Sequence, residues 1–131
     1  MTVESNIQRA AQLALSAIGV IMWRNNVGKM WAGKLVSFKN GRVILDNARP
    51  VTAGLCNGSS DLIGLKSVTI TPDMVGRKIA VFVALEAKTP TGRTQTDQYN
   101  FMRVVNESGG IAGIFRSPDD AVNLVLQNTT R

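Results

Sequence analysis

Apolar residues at Ile7, Ala11, Ala14, Ile18 and Ile21 recur at three- and four-residue steps, which predicts an amphipathic helix over about residues 3–20. Thr2 supplies its N-cap and Gly19 lies near its end. Extended backward, the stripe reaches Glu4, at the edge of the inward face. Lys34-Leu35-Val36-Ser37-Phe38-Lys39 and Arg42-Val43-Ile44-Leu45 flank Asn40-Gly41, a dipeptide that adopts two positive φ angles without strain, so this stretch reads as a hairpin. Residues 46–60, with Asn47, Pro50, Gly54, Asn57, Gly58, Ser59 and Ser60, read as a loop that delivers Asp61 to the start of a short strand. Thr71-Pro72-Asp73 and Gly76 lead into a strand over 79–88. Both faces of that strand are apolar until Glu86, the pattern of a central, covered strand.

A polar loop with Pro90 and Gly92 follows, then a helix from about 97 to 107 that carries Phe101, Met102, Val104 and Val105 and ends at Gly109-Gly110. Residues 111–115 read as a short strand, and strand, helix, strand at this spacing predicts a right-handed parallel crossover. Ser117-Pro118 opens a last helix to about Gln127, with Ser117 as N-cap and Pro118 at the first position. The predicted order is helix, three or four strands, helix, strand, helix. No internal repeat, low-complexity tract or coiled-coil heptad is present.

A chain of 131 residues with 44% hydrophobic content is enough for one domain with one core. Fifteen Lys+Arg against nine Asp+Glu give a net charge of +6, which favours a polyanionic partner, although the charge is spread along the chain. Cys56 is the only cysteine, so an internal disulfide and a thiolate-rich zinc site are excluded and a cytosolic, reducing compartment is expected. The absence of histidine removes Ser-His and Cys-His nucleophilic catalysis, His-ligated zinc and any histidine base. Carboxylate and lysine chemistry remain. No signal peptide is indicated and no stretch reaches the length of a membrane span, so a soluble chain is expected.

Side chains alternate along a strand, so Glu86 and Lys88 point the same way at its end. An acid and a lysine side by side, with Asp61 as a second acid from a neighbouring strand, form an arrangement that holds Mg²⁺ and a water beside a phosphate. Gln98, on the apolar stripe of the second helix, and Glu4 complete the polar positions expected near the core. Each has an ordinary alternative: Glu4 answers the helix dipole, Gln98 satisfies a backbone carbonyl, and Glu86 with Lys88 forms a structural ion pair.

The segments Gly58-Ser59-Ser60-Asp61-Leu62-Ile63-Gly64, Glu86-Ala87-Lys88, Gln98-x-x-Phe101 with Val105, and Gly109-Gly110-Ile111-Ala112 resemble the signature of the virus-type replication-repair nuclease (VRR-NUC) family of the PD-(D/E)XK superfamily. The resemblance extends to the first helix with Glu4 and to Trp23-Arg24-Asn25-Asn26-Val27-Gly28, and so covers nearly the whole chain. Ser60-Asp61 stands where many members have Pro-Asp, a departure that concerns only the turn. What the resemblance implies is a single α/β domain over 1–131 with a restriction-endonuclease-like core, a mixed β-sheet flanked by helices in the order α-β-β-β-α-β-α. Asp61 and Glu86 would ligate the metal together with the backbone carbonyl of Ala87. Glu4 would do so directly or through water, as in members resembling archaeal junction resolvases. Lys88 would orient the attacking water and stabilise charge on the phosphate, and Gln98 would position the lysine or the water. Mg²⁺ suits these hard oxygen donors and Mn²⁺ should substitute.

Arg24, Lys29 and Arg93, followed by Lys34, Arg49 and Arg116, are the candidate DNA contacts, each with solvated surface as its alternative. Trp23 and Trp31 serve either as core or as stacking platforms. The implied activity is structure-selective cleavage of branched DNA in replication or repair by a homodimer, in the manner of a Holliday-junction resolvase, in the cytoplasm of a bacterial host if the source is viral. The alternatives are a less selective flap or nicking nuclease, a non-catalytic DNA-binding module of the same fold, and a structural protein with a coincidental ion pair.

Overall fold

The computed structural model describes residues 2–129. These fall into two compact units, one ending at Gly64 and the other beginning at Leu65.

The first unit opens with α1 (Val3–Ala17), whose N-cap Thr2 accepts a hydrogen bond from the Ser5 amide. The helix stops short of the sequence expectation. Ile18 is its C-cap, Gly19 takes φ +79°, and Ile21 begins a strand, β1 (Ile21–Arg24), instead of continuing the helical stripe. Next comes a long antiparallel ribbon, β2 (Gly28–Lys39) with β3 (Arg42–Ala53), turning at Asn40 and Gly41 with φ of 52° and 74°. The hairpin was expected, but β3 runs well into the stretch read as a loop. Asn47, at φ 52°, is absorbed at a register shift between Ala32 and Lys34, and Pro50 sits opposite Trp31. Each strand of a two-stranded ribbon is an edge strand, so the amide that proline lacks costs no ladder bond with a third neighbour. β4 (Leu62–Leu65) pairs with β1, and Gly64 permits that pairing, because a Cβ there would stand 1.9 Å from the carbonyl oxygen of Ile21.

The second unit carries a 3₁₀ turn (Pro72–Met74), β5 (Val83–Ala87), α2 (Thr96–Glu107), β6 (Ile111–Phe115) and α3 (Pro118–Thr129). β5 and β6 pair in parallel across α2, with Glu86 opposite Ile114 and Ala87 opposite Phe115. α2 and α3 both pack on β6, and Met102, Val105, Ile111 and Ala112 form the buried core. The Ser117 hydroxyl accepts from the Asp120 amide, capping α3 as its sequence predicts. The strand expected over 79–88 is shorter than its apolar run. Ile79 and Val81 are 50% and 45% exposed, and β5 has β6 as its only partner among the described residues, so it is neither central nor fully covered. Among the described residues no helix is long and apolar enough to cross a membrane.

Candidate active site

Three of the five expected catalytic residues meet in the second unit. Glu86 and Lys88 lie two residues apart at the end of β5, on the same face by strand alternation, and the first turn of α2 sets Gln98 against both. The Lys88 ammonium donates to Gln98 Oε1 at 2.8 Å, Gln98 Nε2 donates to Glu86 Oε1 at 2.5 Å, and Lys88 Nζ lies 3.2 Å from the same Glu86 oxygen. The orientation of the amide is fixed by chemistry: an ammonium only donates and a carboxylate only accepts, so oxygen must face Lys88 and nitrogen must face Glu86. Gln98 has a further duty. Its Oε1 also accepts from the Gln95 amide at 3.0 Å, half of a reciprocal capping box at the start of α2. One side chain thus ties the helix terminus to the acid–lysine pair.

The cluster is less buried than the apolar run suggests, since β5 lacks a second strand neighbour. The Lys88 side chain is 15% exposed and that of Glu86 38%, and among the described residues no charged side chain is fully buried. Among the described residues, both contacts of the Glu86 carboxylate fall on Oε1, leaving Oε2 to another ligand. Beside the cluster is a largely apolar cavity of about 440 Å³, lined by Ala84, Leu85, Glu86, Asp97, Gln98, Phe101 and Met102. The Lys88 amide donates to the Phe115 carbonyl, which continues the β5–β6 ladder past Ala87.

Asp61 and Glu4 belong to the first unit. Asp61 is exposed immediately before β4, and its carbonyl accepts from the Asn25 amide at 2.8 Å. Asn25 staples the segment that carries this acid. Its side-chain amide donates to Ser59 Oγ at 2.7 Å and to the Ser60 carbonyl at 2.8 Å, and its Oδ1 accepts from the Leu55 amide at 3.0 Å. Ser59 Oγ in turn donates to the carbonyl of Cys56, an exposed free thiol. Asn25 lies within the Trp23–Gly28 segment, but its stapling role carries no signal in the sequence, because its partners come from residues 55–60. Glu4 is exposed in the first turn of α1. Among the described residues no group of three or more acidic or cysteine side chains forms a ready metal cluster.

The candidate DNA contacts divide by what they touch. Arg116 donates to the carbonyls of Thr89 and Gly92, bracing the turn after Lys88, and Arg24 donates to Gln8 Oε1 on α1. Lys29, Lys34, Arg49 and Arg93 are exposed. Trp31 is 67% exposed on β2, whereas Trp23 is half-buried on β1.

A family model described as VRR-NUC domain matches residues 4–119. Comparison with curated proteins gave no significant match, and comparison with solved structures gave none either. The match spans most of the chain and includes Glu4, Asp61, the Glu86-Ala87-Lys88 segment and Gln98. A mixed α/β architecture with three helices and several small sheets is consistent with the nuclease fold of that family. The chain therefore belongs to the VRR-NUC domain family, a membership that implies a nuclease-type, DNA-binding function in repair.

Proposed function

We propose that the chain is a Mg²⁺-dependent endodeoxyribonuclease that hydrolyses phosphodiester bonds in branched DNA, as a Holliday-junction resolvase does. The observation that carries this reading is the hydrogen-bonded set of Glu86, Gln98 and Lys88, in which a carboxylate oxygen remains available next to an oriented ammonium. The donor chemistry fits the ion: a carboxylate and the carbonyl of Ala87 are hard oxygens, which Mg²⁺ prefers and Mn²⁺ accepts. The sequence pattern adds Asp61 and, directly or through water, Glu4. Bound there, the ion would lower the pKa of a coordinated water and offset charge on the phosphate.

The chain's own residues do the rest. Lys88 directs its ammonium at the attacking water and at the non-bridging phosphate oxygens, where negative charge builds as the phosphorus–oxygen bond breaks. Gln98 bonds both partners of the Glu86–Lys88 ion pair and so fixes the ammonium beside the carboxylate. Lys29, Lys34, Arg49 and Arg93 are the exposed cations available to phosphates away from the cut.

The test is a cleavage panel of four-way, flap, nicked and linear DNA with Mg²⁺, using Lys88→Ala as the blank, alongside calorimetric titration of Mg²⁺ and Mn²⁺. Lys88→Ala should abolish cleavage and leave metal and DNA binding largely intact, whereas Asp61→Ala should remove metal binding as well. Normal turnover by either variant defeats the assignment. Equal cutting of all substrates selects the less selective flap or nicking nuclease.

A further inference from the structure

The β2–β3 ribbon has two chemically different faces. Directly opposed residues of an antiparallel pair share a face, and the register places Ala32 with Arg49, Lys34 with Asp46, Ser37 with Ile44, and Lys39 with Arg42 on one side. The two register shifts keep these pairs together, because each displaces one strand by a single residue. Four cations, Lys34, Lys39, Arg42 and Arg49, therefore share this face with one acid, Asp46. All four are exposed, and none is ion-paired or hydrogen-bonded through its side chain among the described residues. The other side carries Trp31, Leu35, Phe38 and Val43, each more than half exposed, together with Lys29, while the exposed Met30 and Ile44 lie among the cations of the first side.

We infer that the basic face of this ribbon is a sequence-independent docking surface for the phosphate backbone of duplex DNA, built from residues other than those of the Glu86–Lys88–Gln98 cluster. The inference rests on the proposed DNA substrate. Its first support is reach. From Arg49 to Lys39 and Arg42 the cations cover about 20 Å of ribbon at the usual strand rise, too far for one small anion and suited to a continuous row of phosphates. Its second support is a recess of about 510 Å³ on the same face, lined by Ser37, Lys39, Asn40, Arg42 and Ile44 at the hairpin tip. A second copy of the chain does not suit this face, since symmetric pairing would oppose like charges. Ser37 and Asn40 are the only neutral hydrogen-bonding side chains lining that recess, too few to read base edges, so contact is with the backbone.

The experiment measures binding of a fluorescent duplex by anisotropy over a salt series in EDTA, where no cleavage occurs. One variant combines Lys34→Gln, Lys39→Gln, Arg42→Gln and Arg49→Gln. A control removes the same charge elsewhere with Arg9→Gln, Lys66→Gln, Arg77→Gln and Lys78→Gln. Each phosphate contact adds about 0.9 to the slope of log affinity against log salt, so the ribbon variant should lose about 3–4 from that slope while the control keeps most of it. Asp46→Asn, which leaves the cations in place, should tighten binding. Equal losses in both quadruple variants, an unmoved slope in the ribbon variant, or loss of adhesion to anionic phospholipid vesicles with DNA affinity unchanged overturns the inference. None of these readouts involves bond cleavage, so they stand or fall separately from the Lys88→Ala result.

Discussion

Gln98 serves two structures at once, and substitutions can separate them. Alanine removes both the Gln98 half of the α2 capping box and the link between Glu86 and Lys88, so Gln98→Ala should lose about 1 kcal/mol of stability and about 100-fold in cleavage. Glutamate still accepts from the Gln95 amide and from Lys88, but it sets a second carboxylate against Glu86. Gln98→Glu should therefore melt near the parent temperature and still cleave poorly, a split that thermal denaturation and single-turnover cleavage together would reveal. Equal activity of the glutamate variant and the parent would reduce Gln98 to a cap. The pairing of Glu86 with Lys88 was legible in the sequence because a two-residue spacing in a strand fixes the face. The bracing role of Arg116 was not legible, since its partners are backbone carbonyls of a turn, whose direction no side-chain pattern records.

At the scale of elements, the sequence marked turns and caps well and strand ends poorly. Thr2, Asn40-Gly41, Gly109 and Ser117 sit where local geometry requires their particular side chains or positive φ, and the structure uses them so. The reach of β3 was hidden because Asn47 and Pro50 usually signal a loop; a register shift and an edge strand accommodate them. The start of β5 was hidden because an apolar run reports hydrophobicity and not pairing, and Ile79 and Val81 lie outside the ladder. Close backbone approach gives a sharp test in the first unit. Gly64→Ala should destabilise the fold by about 3 kcal/mol, as its methyl meets the Ile21 carbonyl; a melting curve that matches the parent would disprove the β1–β4 pairing.

For the whole molecule, composition narrowed the chemistry before any geometry: without histidine, Ser-His and Cys-His nucleophiles, His-ligated zinc and a histidine base are all closed to the chain. A junction-cutting enzyme has to incise two strands, so the proposed activity requires paired sites, and light scattering at working concentration should give twice the chain mass. A monomer there removes the junction reading while leaving the less selective nuclease in place. Cys56 makes such an assembly measurable without engineering. It is the only thiol in the sequence, it is exposed, and its carbonyl anchors the Ser59 turn ahead of Asp61. A nitroxide attached there would put one spin on each subunit, so a symmetric pair would show a single dipolar coupling, and addition of a four-way junction would report directly whether the two segments bearing Asp61 draw together or stay put.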